Sequence, residues 1–237
     1  MTKRPPFRSP RGRGTQQTGG RDEGSSFDSP IRTSPTQPPH LAAFHAINQR
    51  CLELLIDAAQ QNAAGGFPLV RELRDLFGGL NPEIQTRAAR CPVLLADMHF
   101  ANAEWWCVAT EQPARAMPLA ASQGAFAKSG GVILARATLL LAWHTAHAAP
   151  HQASLLGMTA DVADIIGRLP ITEIERVAEK RFRHARPRWE DRPAVWRRLL
   201  LSAQSGSLLR AREFSLYSLQ LLTADVISPL GRSSRAS

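Results

Sequence analysis

"LLGMTADVADIIGRLPITEIERVAEKRFRHARPRW", residues 155–189, holds two short amphipathic helical patterns that run into arginines. Thr159 stands where a helix cap belongs, and Asp161 and Asp164 follow early, at the helix's positive end. Pro170 leads a second helix, and Ile171, Ile174, Val177, Ala178 and Phe182 fall on one face of it. Lys180, Arg181 and Arg183 occupy its last turns, the sign that a helix C-terminus prefers. A groove-reading second helix would present polar donors near its N-terminus. This one offers Glu173 and Glu175 towards phosphates. The stretch therefore reads as a packing hairpin followed by a phosphate-contacting segment, not as a standard helix-turn-helix.

The same periods recur on both sides. "LAAFHAINQRCLELLIDAAQQ" (41–61) places Leu41, Phe44, Ile47, Cys51, Leu54, Leu55 and Ala58 on one face. "PLVRELRDLFGG" (68–79) predicts a second helix with a glycine stop. "LNPEIQTRAARC" (80–91) starts with Asn81 as cap and Pro82 at the first helical position. "PVLLADMHFANAEWWCVA" (92–109) reads helical after Pro92. "VILARATLLLAWHTAHAA" (132–149), "PAVWRRLLLSAQ" (193–204) and "GSLLRAREFSLYSLQLLTADVI" (206–227) continue the pattern. Strand-like runs bounded by hairpin turns are missing, so the expected class is all-α.

Residues 1–40 differ. Seven prolines, five glycines and six basic side chains before residue 22, with almost no aliphatic residues, predict a disordered basic tail. The expected division is this tail at 1–40, a helical unit at 41–110, a linker at 111–130, a second unit with its C-terminal helix at 131–226, and a flexible end at 227–237. A shift of 78 residues lays "GLNPEIQTRAARCPV" (79–93) on "GMTADVADIIGRLPI" (157–171). A shift of 76 lays "SGGVILARATLLL" (129–141) on "SGSLLRAREFSLY" (205–217). Shared glycine, cap, acid and proline at one spacing point to a duplication. The expected architecture is two tandem units of four short helices each, packed as an intramolecular bundle.

The unit resembles the FlhD family, helical transcriptional activators of flagellar genes. The resemblance rests on "LLLA" at 139–142, "LGM" at 156–158, Ala163, Leu169, "AE" at 178–179 and "RW" at 188–189. "REFSLYSLQLL" (212–222) is similar to that family's first helix, as if a further unit began there, and "INQRCLELLIDAAQ" (47–60) is so more faintly. The family's late-helix cysteine falls on Cys107 in the first unit and on Ala185 in the second. The resemblance implies regulation of flagellar or motility genes, promoter DNA as target and an FlhC-like partner subunit or self-association.

Composition sets the remaining bounds. The chain has 237 residues, 43% of them hydrophobic, and a formal net charge of +9, which favours polyanionic partners. No apolar run is long enough for a membrane span. Cys51, Cys91 and Cys107 are too few for a disulfide framework and lack zinc-site spacing, which fits reduced thiols and a cytoplasmic location. His144, His147 and His151 are spaced by three and four, but Pro150 interrupts them and no acid or cysteine joins them. No nucleotide-binding, metalloprotease or hydrolase motif is present, so neither an enzyme, nor a cofactor, nor a small-molecule substrate is expected.

Arg176, Lys180, Arg181, Arg183, Arg186, Arg188, Arg192, Arg197 and Arg198 face only Glu179, Glu190 and Asp191 within their stretch of sequence. These nine are the candidate nucleic-acid contacts, because a guanidinium donates a fork of hydrogen bonds to phosphate and keeps its proton. An acidic protein surface or a merely solvated face are the other readings. Trp105, Trp106, Trp189 and Trp196 are the candidate partner-facing residues, with core packing as the bland alternative. The expected function is a transcriptional regulator; the alternative is a helical interaction scaffold or anti-regulator that does not touch DNA. A contiguous exposed basic face favours the first, and arginines paired to carboxylates favour the second.

Overall fold

Asn81 and Thr159 cap their helices as the sequence predicts: each side-chain oxygen accepts from the backbone N–H three residues on, Ile84 and Val162. The structure, a computed structural model, describes residues 39–61, 67–111 and 126–233. The basic tail up to residue 38, residues 112–125 of the expected linker and residues 234–237 lie outside the described residues.

The chain is all-α. In order come α1 (Pro39–Gln60), α2 (Pro68–Glu72), α3 (Arg74–Gly78), α4 (Pro82–Ala89), β1 (Ala96–Asp97), α5 (Ala103–Glu111), α6 (Lys128–Ala148), a 3-10 segment (Pro150–Leu156), α7 (Ala160–Arg168) and α8 (Ile171–Arg181). A short 3-10 turn (Phe182–His184), β2 (Arg186–Pro187), α9 (Pro193–Ser205) and α10 (Leu208–Ser233) complete it. β1 and β2 are two residues each and pair antiparallel, Ala96 with Pro187 and Asp97 with Arg186. α6 packs on α1, α7 and α8, and α9 packs on α3, α4 and α10.

The elements repeat at an offset of 90 residues. β1 maps on β2, α1 on α6, the α2–α3 pair on α7, α4 on α8 and α5 on α9. Glu83, Ile84 and Ala88 fall on Glu173, Ile174 and Ala178 at that offset. His99 and Trp189, also 90 apart, both take φ 57°, the left-handed turn that leads from strand to helix. The strand pairing is thus that of two like units meeting face to face. The 78-residue shift suggested by the sequence lays α4 on α7, which are not equivalent elements. It was drawn by the caps at Asn81 and Thr159, and caps recur wherever a helix begins.

Four other expectations change. Residues 92–102 are not helical; α5 starts only at Ala103. Val93, Leu94 and Leu95 are buried to within 1% in irregular chain, where long-range partners take up the backbone groups a helix would have used. Buried Asn48 donates from Nδ2 to Ala89 O at 3.1 Å and Val93 O at 3.0 Å, and Oδ1 accepts from Leu95 N at 2.7 Å. The 68–79 helix is broken at Leu73 into α2 and α3. α6 begins at Lys128 inside the expected linker, since Phe126 is buried and anchors its entry. α10 continues to Ser233 rather than giving way to a loose end at 227, although Pro229 and Gly231 are poor helix formers.

Thr138 stands on α6 where Asn48 stands on α1, and is as fully buried, but its hydroxyl meets no hydrogen-bond partner. Thr138→Val removes a desolvated hydroxyl at nearly constant shape. We expect urea unfolding to give equal or higher stability, by up to about 1 kcal/mol. A loss beyond about 1 kcal/mol would mean the hydroxyl is hydrogen-bonded after all.

Candidate nucleic-acid interface

The nine basic residues do not form one surface. Arg188 is 6% exposed and works inside the protein. Its backbone N–H donates to Leu95 O at 2.7 Å, continuing the β1–β2 contact. Its Nε donates to Leu94 O at 2.8 Å and its Nη2 to Leu156 O at 2.7 Å. Its own carbonyl accepts from Trp196 Nε1 at 2.7 Å. One side chain thereby acts as a clamp that ties Leu94 of the first unit to Leu156 at the end of the second unit's 3-10 segment. Gly157 makes room for it: φ is +79°, and a Cβ there would lie 2.2 Å from Nη1.

Asp97 balances this charge. Its oxygens accept from the backbone N–H groups of His99 and Phe100, both at 3.3 Å, and from Arg186 Nε at 3.1 Å, with Arg188 Nη2 at 3.7 Å. Burial alone would raise its pKa; Arg188 and then Arg186 outweigh that and hold it below the ordinary carboxylate value. His99 stacks on Trp105 at 4.7 Å, and burial with Arg186 nearby pushes its pKa down to about 4, so it is neutral at pH 7.

The other basic residues divide. Arg176 is taken by Glu173, and Arg181 is buried. Arg186 is shared between Asp97 and Glu190, and Arg192 lies 3.3 Å from Asp225. Lys180 and Arg183 are exposed at the end of α8 and just beyond. Arg197 and Arg198 are exposed on α9, the first 3.8 Å from Glu72 and the second over the Tyr217 ring at 4.6 Å. The sequence reading of Arg188 and Arg181 as phosphate contacts is therefore corrected: burial withholds both from an external partner.

The tryptophans are corrected in the same way. Trp105, Trp106, Trp189 and Trp196 are 7%, 0%, 6% and 1% exposed and belong to the core, so they cannot be a partner-facing surface as folded. Trp189 Nε1 donates to Asp225 Oδ2 at 2.6 Å, fastening α10 to the β2 turn. Of the cysteines, Cys51 and Cys91 are buried and Cys107 is exposed. Burial pushes the Cys91 thiol up to about 12 and moves Cys51 in the same direction.

A cleft of about 1100 Å3 opens beside the clamp. Asp97, Glu104, Asp161, Glu190, Asp191 and Asp225 line it against Arg186, Arg188 and Arg192, which leaves three excess negative charges. A polyanion is not drawn to that cleft.

The balance reverses around α9. α9 carries Arg197 and Arg198; α4, packed on it, carries Arg87 with Arg90 at its C-cap; α10, packed on it too, opens with Arg210 and Arg212. Arg87 reaches over the C-terminal end of α9, where its Nη1 lies 2.8 Å from the Cβ position of Gly206. These six arginines stand against Glu83, Glu213 and Asp225 on the same elements, a net +3, and Glu72 of α2 lies 3.8 Å from Arg197. The sequence reading missed four of them. They are scattered over more than a hundred positions, so no charge run reveals them, and only the packing of α4 and α10 on α9 gathers them.

Among the described residues no group of three or more His, Cys, Asp and Glu is placed to hold a metal ion, and no helix is long and apolar enough to cross a membrane. The chain matches no protein-family model, no curated protein and no solved structure.

Proposed function

We propose that this chain is a transcriptional regulator of the FlhD kind, acting with a partner subunit and contacting promoter DNA through the arginines around α9. The observation that carries the DNA contact is the segregation of charge: net +3 on α9 and its flanks, net negative in the cleft beside Arg188. The duplicated unit with its "LGM" and "RW" elements carries the family resemblance, and the flagellar target rests on that resemblance alone.

Six phosphate contacts correspond to a slope of about −5 in log affinity against log salt concentration; all nine residues of the 176–198 run would give about −8. Fluorescence anisotropy with a promoter-length duplex over a salt series reads that slope. The Arg197→Ala/Arg198→Ala variant should flatten it by about 2, while Lys180→Ala/Arg183→Ala leaves it nearly unchanged. The reverse pattern would move the interface to the end of α8.

A second reading has its own observation. The acidic cleft and the internal pairing of Arg176, Arg186 and Arg188 suit a protein-binding scaffold that takes a basic segment of a partner. Absence of duplex binding at low salt, with the fold intact by circular dichroism, would leave that reading standing and sink the first.

A further inference from the structure

α5 belongs to the first unit but lies against the second, on α7 and α8. Three rings meet at this junction. His99 stacks on Trp105 with ring centroids 4.7 Å apart. His184, from the 3-10 turn after α8, meets His99 edge-on at 5.6 Å and Trp105 at 5.2 Å. Both histidines are half-buried. Trp105 is buried, and its Nε1 has no hydrogen-bond partner. At this point α5 is held by ring packing, to which the indole N–H adds nothing.

We propose that His99, Trp105 and His184 form an acid-sensitive latch, which holds α5 against the second unit at neutral pH and releases it when the two imidazoles take up protons. Three observations carry it. First, the two titratable rings touch each other and the same indole. Protonating both would set like charges 5.6 Å apart in a half-buried site.

Second, the charges around the pair oppose protonation. Arg186 of β2 acts on both rings, and Arg181 of α8 acts on His184. Lys180 and Arg183, on α8 and its turn, are exposed and add the same sign. Asp97 of β1 favours a proton on His99, but it already accepts from Arg186 and lies 3.7 Å from Arg188. Glu190, after β2, is itself 3.6 Å from Arg186. Glu104 of α5 and Asp161 of α7 line the cleft that His99 also lines, and both are exposed, where water and salt screen them. Burial first and Arg186 next, with Asp97 working against them, put the His99 pKa at about 4. Burial, then Arg181 and Arg186, lowers that of His184. A histidine lowered from 6.5 stabilises the closed state fully above 6.5, and for His99 that contribution is lost as the pH falls towards 4.

Third, only one of the two like turns carries such a ring. At the offset of 90 residues His99 corresponds to Trp189, and both take φ 57°. Trp189 does not titrate, and its Nε1 donates to Asp225. A non-titrating aromatic ring therefore suits this left-handed turn, and the first unit has an imidazole in its place.

Backbone hydrogen exchange of the full chain between pH 7 and pH 5, corrected for the intrinsic pH effect, tests the latch. With the open state titrating at 6.5 and the closed one at about 4, His99 alone should raise the opening constant of α5 by about twentyfold over that interval, while α1 stays protected. His99→Phe keeps a ring on Trp105 and should remove most of the rise, and His184→Phe a further part. His147→Phe, which changes an exposed histidine of α6, should behave as wild type. Loss of protection in α1 together with α5 overturns the proposal, as does an unchanged rise in His99→Phe. If His99→Phe does not fold at pH 7, an NMR titration of the His99 ring in wild type decides: a midpoint well below 6.5 supports the latch, and one at 6.5 or above overturns it. None of these results bears on the arginines of α9, whose test is the salt slope.

Discussion

Arg188→Met lowers the stability of this protein by about 3 kcal/mol or more. The substituted side chain keeps much of the volume, so the loss isolates the guanidinium. Two carbonyls, Leu94 O and Leu156 O, lose their donors in a buried setting, and Asp97 is left with Arg186 alone. The two stranded carbonyls are the costly part, and the desolvated Asp97 carboxylate loses one of the two guanidinium charges that offset its burial, keeping Arg186 at 3.1 Å. Urea unfolding measures the effect, and a melting temperature lower by about 10 °C should accompany it. Adding Asp97→Asn to Arg188→Met should recover part of the loss, since it removes a buried carboxylate that only Arg186 then offsets. A change below about 1 kcal/mol would mean that the clamp does not hold the two units. The same reasoning disqualifies any DNA-binding test that truncates Arg188, because the variant would lose its fold before its charge could be judged.

Asn48→Ala is expected to cost about 3 kcal/mol or more, from a side chain that touches no ligand and carries no charge. The amide replaces a stretch of helix ladder. It donates to Ala89 O and Val93 O and accepts from Leu95 N, and all three groups lie in residues at most 3% exposed. Truncation strands the Leu95 N–H and the Ala89 carbonyl where water enters poorly, and leaves Val93 O with only the weak Cys91 thiol donor at 3.2 Å. Asn48→Asp is the informative companion. It keeps the acceptor for Leu95 but turns a carboxylate oxygen towards two carbonyls, so it should be as damaging as alanine. If Asn48→Asp were well tolerated in urea unfolding, the donated bonds would not be what holds the non-helical segment after α4 in place.

The clamp and the amide share one task, which is to satisfy a non-helical backbone buried between helical units. Asn48 does so from α1 and Arg188 from the β2 turn. Between them they fix the approach of β1 to β2, and through Trp196 they fix where α9 leaves the turn. That in turn sets the arginines of α9 on the outside.

Local sequence determined the helices. Asn81, Thr159, Pro82, Pro170, Pro193 and Gly206 mark starts and stops, because a cap, a missing N–H or a left-handed residue acts within one turn of chain. The boundaries of α7, α8 and α9 follow from them, and so does the all-α class. The duplication was legible too, but at the wrong offset, since caps and prolines recur faster than the unit does. What lay beyond the sequence is everything decided by partners far along the chain. Residues 92–102 look helical until Asn48 and Arg188, the latter 94 positions from Leu94, take their backbone groups. The run from Arg176 to Arg198 looks like one basic surface until tertiary contact assigns each side chain a carboxylate, a carbonyl, a ring or water. Charge in sequence counts residues, but charge as a site depends on burial and on which helices lie side by side. Those are settled only when α4 and α10 close on α9 and the four tryptophans go inside.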